Sequence, residues 1–204
     1  MLIAATRGSR LLLAASMLSD AGRRASAQMS GAPLCEPRRW LTTAAEESGT
    51  ALRLQLTELG AQNVQTARIQ SFYWWDGKVQ NEAEELISFE SARPADELIA
   101  LVGALHPYDT PMLITESDDE QSNYWRGQID GGSAALAQAL AEARLVACAQ
   151  LSASTLSVKT VAGAKAQIES TLGGGGVAVA WHPIMGNTPY LDWIRVETAP
   201  ALRS

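Results

Sequence analysis

One order of elements constrains this chain more than any other feature: strand, helix, strand, turn, strand, helix, strand between Trp40 and Thr115. Its centre is Ile69-Gln70-Ser71-Phe72-Tyr73-Trp74-Trp75, the richest run of β-formers in the sequence. Asp76-Gly77 stops that run with a turn signal, since Gly tolerates the positive φ such turns need. Glu85 to Ser91 reads as the returning strand, with Leu86, Ser88 and Glu90 on one face and Ile87 and Phe89 on the other. Pro94 stands where a first helical residue belongs, and Asp96 and Glu97 follow where negative charge opposes the helix dipole. Leu98, Leu101, Val102 and Leu105 form the apolar stripe of that helix, and His106-Pro107 ends it. Met112 to Thr115 reads as a strand. Upstream, Trp40 to Thr43 reads as the first strand and Ala44 to Leu59 as the first helix, striped by Leu52, Leu56 and Leu59 and stopped by Gly60. The order β-α-β-β-α-β predicts an α+β, ferredoxin-like sandwich.

After an acidic loop, Glu116 to Ser122, the pattern restarts in shortened form. Ser133 can cap a helix from Ala134 to Ala147. Leu156 to Thr160 reads as a strand and Ala166 to Ser170 as a further one. Gly173 to Gly176 reads as a flexible connector. Val177 to Trp181 reads as a last strand, Gly186-Asn187 as a turn, and Tyr190 to Ile194 as a short terminal element. The chain therefore divides into residues 1–35, residues 36–130 as one complete unit, and residues 131–198 as a shortened second unit.

Composition narrows the function. The formal net charge of −6 argues against a nucleic-acid partner, and no apolar run has the length of a membrane helix. Two cysteines, Cys35 and Cys148, are too few for a disulfide scaffold or a structural zinc site. Residues 1–35 set Arg7, Arg10, Arg23 and Arg24 against the single acid Asp20. That composition predicts a transit peptide to a chloroplast or mitochondrion; Leu11 to Ala15 could instead be the core of a secretory signal. No nucleophile stands beside a recognisable base, no carboxylate pair has a defined context, and the tetraglycine lacks the Lys-Ser or Lys-Thr of a phosphate loop. The chain reads as a protein that is not an enzyme.

Three segments, in order, resemble the CutA divalent-cation tolerance proteins: Tyr73-Trp74-Trp75-Asp76-Gly77-Lys78, Leu105-His106-Pro107-Tyr108-Asp109-Thr110-Pro111, and Pro183-Ile184 with Gly186-Asn187 and Tyr190-Leu191-Asp192-Trp193. Arg144-Leu145-Val146-Ala147-Cys148 is similar to the end of that family's first helix, yet it follows the H-P-Y motif, which implies a degenerate second copy. Asn123-Tyr124-Trp125 reads as the first copy's worn closing motif. The resemblance implies a homotrimer whose strands pair across subunits, with Tyr73, Trp74, Trp75, Tyr108, Tyr190 and Trp193 at the interface. Physics gives the aromatic strand three fates: an edge paired with another subunit, an edge covered by the second copy, or a core face under the helices.

The resemblance also implies copper or another divalent ion at His106. The family's cysteine position falls at Thr42 and its glutamate position at Met112, and neither is a good ligand for a divalent ion. The other reading of His106 is a histidine closing a helix C-terminus. His182 reads as a surface or core histidine, Cys148 as a small buried hydrophobe, and Asp118-Asp119-Glu120 as a solvated loop. The function implied is a non-enzymatic oligomer of divalent metal ion tolerance or homeostasis. The alternatives are a scaffold for a protein partner that has lost metal binding, and a small-molecule-sensing oligomer.

Overall fold

A computed structural model describes residues 36–173 and 177–200. The expected transit peptide and residues 174–176 of the tetraglycine lie outside the described residues.

Eight strands close into one barrel. In chain order they are β1 (Arg38–Ala45), β2 (Gln62–Trp75), β3 (Lys78–Ser91), β4 (Leu113–Glu116), β5 (Tyr124–Asp130), β6 (Cys148–Ser152), β7 (Thr155–Val161) and β8 (Val179–Gly186). The order around the barrel is β1-β3-β2-β6-β7-β5-β8-β4, closing back on β1, and each pair is antiparallel. Among the described residues five α-helices punctuate the strands: α1 (Glu46–Glu58), α2 (Ala95–Leu105), α3 (Ala134–Glu142), α4 (Lys165–Leu172) and α5 (Thr188–Thr198).

The turn signal at the head of the long hairpin is realised. Trp75 pairs with Lys78, and Asp76 and Gly77 take φ of 51° and 77°, the left-handed pair of a two-residue type I′ turn.

The barrel is two sheets joined at both edges. Strands β4-β1-β3-β2 form the first and β8-β5-β7-β6 the second, so β5 holds in the second set the place β1 holds in the first. Two seams unite them. Gln70 to Tyr73 of β2 pair with Leu151 to Cys148 of β6, and Ile114 to Glu116 of β4 pair with Gly186 to Ile184 of β8. In place of the ferredoxin-like sandwich expected from the sequence, the two sheets form a closed barrel with helices outside. The physical reason is that β2 and β4 would otherwise present unpaired backbone edges, which β6 and β8 satisfy.

Four local readings change. Tyr124 opens β5, which begins the second set rather than closing the first. Ala166 to Ser170, expected as a strand, lies in α4, because Ile168 and Leu172 sit four apart and both are buried. The segment from Tyr190 belongs to α5, which opens at Thr188 with Pro189 in its first turn. Helix α3 stops at Glu142 rather than Ala147, since Arg144 takes φ of 57°. Ser133 does cap it, accepting from the Leu136 N–H at 3.2 Å.

Side chains alternate between two environments. Trp40, Ala44, Ile87 and Phe89 pack outward against Leu52 and Leu56 of α1 and Leu98 and Val102 of α2. Phe72, Ile129, Leu156 and Val158 pack against Ala137, Leu140 and Ala141 of α3 and Ile168 of α4. Tyr190, Trp193 and Ile194 of α5 join Tyr73, Met112, Ile114, Cys148 and Ile184 in a third cluster. Among the described residues no helix is long and apolar enough to cross a membrane.

Candidate functional site

His106 follows α2 and is buried, 8% exposed. The Tyr108 N–H donates to its Nδ1 at 3.1 Å. The proton therefore resides on Nε2, which donates to the Thr43 carbonyl at 3.0 Å and lies 3.2 Å from Thr42 Oγ1. Both ring nitrogens are thus committed to the protein. Burial pushes the imidazole pKa down to about 4, so it is neutral at pH 7. Of the positions carried over by resemblance, Thr42 touches His106, and Met112 is buried immediately before β4.

The remaining predicted residues are distributed as follows. Tyr73, Tyr108, Tyr190 and Trp193 are buried within the single chain, while Trp74 and Trp75 are half-buried. The Arg144 guanidinium stacks over the Trp74 ring at 5.1 Å. Tyr190 and Trp193 pack against each other with ring centroids 5.5 Å apart. His182 is part-exposed, its Nδ1 3.6 Å from Glu116. Cys148 is fully enclosed, and burial raises its thiol pKa to about 12. Among the described residues no group of three or more His, Cys, Asp or Glu side chains is placed to hold a metal ion.

A concave feature occupies the inside of the barrel. All eight strands contribute to a cavity of about 920 Å³. Its apolar wall includes Leu41, Ile69, Leu86, Ile114 and Ile184. Its polar wall includes Arg126 and Gln128 of β5, Gln150 of β6, and Ser157 and Lys159 of β7. A second cavity of about 320 Å³ shares Gln150 and is lined by Tyr73, Glu84, Tyr108 and Met112. There the buried Glu84 carboxylate accepts from Ser71 Oγ and from the Tyr108 hydroxyl at 3.0 Å. Burial raises the pKa of Glu84.

Lys159 is the unusual residue of the large cavity. It is 1% exposed, and its Nζ donates to Gln150 Oε1 and to Ser157 Oγ. Burial pushes its pKa down to about 8. Sequence reasoning missed Lys159, Arg126 and Glu84. The only signal was strict alternation: Thr155, Ser157 and Lys159 against Leu156 and Val158, and Arg126 and Gln128 against Trp125 and Ile129.

The comparisons with known proteins bear on the first sheet. Residues 40–126 match the family model described as CutA1 divalent ion tolerance protein. Protein CutA 1, chloroplastic, of Oryza sativa subsp. japonica is 47% identical over 47 residues, 22% of this chain and 27% of the rice protein. The divalent-cation tolerance protein CutA of Pyrococcus horikoshii is 32% identical over 62 residues, 29% of this chain and 61% of that protein. The chain thus spans less than two thirds of the length of either relative. The crystal structure of CutA1 from Oryza sativa is 34% identical with a TM-score of 0.37, covering 40% of this chain and 79% of the rice chain.

Proposed function

We propose, from the match of residues 40–126 to the CutA1 divalent ion tolerance model, that the chain serves divalent-ion tolerance or homeostasis as a non-enzymatic small-molecule binder. The observation that carries this reading is the cavity of about 920 Å³, mixed polar and apolar, inside a closed barrel. Sites for small ligands are concave, few per protein and of this size. Thermal melting of the full chain across a panel of metabolites tests it. The expected result is a rise in Tm with at least one compound, since a ligand that binds only the folded state stabilises it. A flat profile across the panel would remove the reading.

A direct metal role is the second reading: the resemblance carries it to His106, and Thr42, at the position carried over from the family's cysteine, does lie beside that ring at 3.2 Å. Copper or another divalent ion at His106 would have to displace the hydrogen bonds from Tyr108 N–H and to Thr43. Copper titration of the full chain and of His106→Ala separates the two. The small-molecule reading expects no affinity tighter than roughly micromolar, and the same weak value in the variant.

Two further parts of the proposal concern assembly and place. The strand edges through which the resemblance would join subunits are paired within the chain over Gln70 to Tyr73 and Ile114 to Glu116. A trimer would therefore have to meet through helix faces, through the exposed start of β2, or through the half-buried Trp74 and Trp75. Light scattering is expected to give the mass of a single chain, and a trimer mass would redirect attention to those surfaces. An organellar location is supported by the Arg-rich, acid-poor residues 1–35 and by a relative that is named chloroplastic. A fluorescent protein fused after residue 35 is expected to enter chloroplasts or mitochondria, and secretion would favour the other signal.

A further inference from the structure

Arg126 and Lys159 are direct partners in the β5–β7 register, and both line the large cavity. Like charges directly opposite on one sheet face repel. Each therefore needs a counter-charge, and the protein supplies only a partial one. Arg126 Nη2 lies 3.3 Å from Glu116, a carboxylate 55% exposed that also faces His182. Arg126 Nε is buried with no hydrogen-bond partner. Lys159 has neutral oxygens alone as acceptors, and among the described residues no carboxylate lies within ion-pair distance of it. Its neighbour on the other side, across β6, is the Cys148 thiol.

A lysine sealed from water without an ion pair is rare, because desolvating the charge costs several kcal/mol. Removing the lysine would serve stability better than keeping it, so the position calls for an occupant of opposite sign. The carboxylates on the same lining, Glu36, Glu116 and Asp118, are all exposed and remain solvated. The buried Glu84 carboxylate acts on Lys159 only from beyond ion-pair distance and spends its oxygens on Ser71 and Tyr108, so the unmet charge on this wall is positive. Around it the wall offers amides and hydroxyls, among them Gln65, Ser88, Gln128, Gln150 and Ser157.

From this we infer that the barrel cavity binds a small hydroxylated anion whose phosphate or carboxylate group lies between Arg126 and Lys159. The planar guanidinium presents its fork to two oxygens of such a group, and the ammonium acts as a point charge on a third side. The neutral donors take the hydroxyls. The inference rests on the small-molecule reading and narrows it to a charge and a chemical class.

Isothermal titration of the full chain at pH 7 and low salt tests it with four probes: glucose 6-phosphate, gluconate, glucose and inorganic phosphate. At least one of the two hydroxylated anions is expected to bind, with glucose at least tenfold weaker. Which anion binds tells a phosphate head from a carboxylate head, and inorganic phosphate shows what the head contributes alone. Arg126→Met and Lys159→Met are each expected to weaken the anion at least tenfold, and Arg126→Lys to restore part of the loss. Melting of every variant establishes that it is folded, and Arg126→Lys carries the test if Arg126→Met is not. Binding of glucose as tight as either anion, or unchanged affinity in Lys159→Met, would overturn the inference. So would binding of neither anion. In that event a melting shift with an uncharged or cationic compound leaves the small-molecule reading standing, and no shift with any compound removes both.

Discussion

Tyr73 of β2 stands directly opposite Cys148 of β6, and this pairing ties the first half of the chain to the second. The aromatic strand that reads from sequence as a hazard is covered by the chain's own later segment. Strand β6 is paired on both sides, to β2 and to β7. The two halves are thus expected to unfold together, in one transition that coincides by far-UV circular dichroism and tryptophan fluorescence. Ala149→Pro, which removes a donor in the middle of β6, is expected to cost about 3 kcal/mol or more of that single transition. Two separated transitions in the unmodified chain would show that the seam contributes little.

His106 is expected to act as a structural member. Its replacement by Ala strands the Thr43 carbonyl and the Tyr108 N–H inside the protein, for a loss of about 2–3 kcal/mol in a denaturant titration. The imidazole is neutral when folded, with its pKa near 4, and titrates near 6.5 when unfolded. Between those values the unfolded chain binds the extra proton. The contribution is therefore full above about pH 6.5 and lost as pH falls toward 4. Glu84, whose pKa is raised, acts in the opposite sense at acidic pH, so the quantity to measure is the difference between the wild type and His106→Gln.

Lys159→Met is expected to stabilise the ligand-free protein at pH 7 while it abolishes anion binding. Its pKa is about 8 folded and about 10.5 unfolded. The destabilisation by the buried charge is complete below pH 8 and relieved as pH rises toward 10.5, by an amount on the order of 3 kcal/mol. Cys148 works against this from about pH 9 upward, because its buried thiol resists ionisation. Stability of the wild type minus that of Lys159→Met, followed from pH 7 to 10, isolates the lysine and should rise. Anion affinity is expected to fall over the same range.

Gly186 is expected to tolerate no side chain. A Cβ there would lie 2.1 Å from the Leu113 carbonyl oxygen and 2.9 Å from Ile114 Cα, both backbone atoms at the β4–β8 seam. The next residue, Asn187, fastens the same seam through Nδ2 to the Pro111 carbonyl at 2.9 Å and N–H to the Leu113 carbonyl at 2.9 Å. Gly186→Ala should cost at least about 2 kcal/mol in a thermal or denaturant melt. A change within about 0.5 kcal/mol would mean the two strands can part without consequence.

The first sheet was legible because its signals are local. The Asp76-Gly77 turn, the Pro94 helix start and the Leu98 to Leu105 stripe each act over a few residues; the turn and the stripe are found where the sequence puts them, and the helix starts one residue later, with Pro94 as its N-cap. The second sheet was read less well. Ala166 to Ser170 carries no strong periodicity, and its helix is decided by the burial of Ile168 and Leu172 against the sheet. The cavity was not legible at all. Arg126, Gln128, Ser157 and Lys159 alternate with apolar residues just as the wet face of an open sheet does. Whether such a face meets solvent or the inside of a barrel depends on long-range closure, which no short window of sequence contains.

Two identical protomers closing such a ring would be obliged to show each wall twice, related by a two-fold axis. A single polypeptide carries no such obligation. On one side Leu41 faces Ser88 and Ile114; on the other Arg126 faces Lys159 and His182. Tethering leaves the two walls free to differ, so the Arg126 and Lys159 pair occurs on one side alone and a guest would be held in one orientation, one copy per chain.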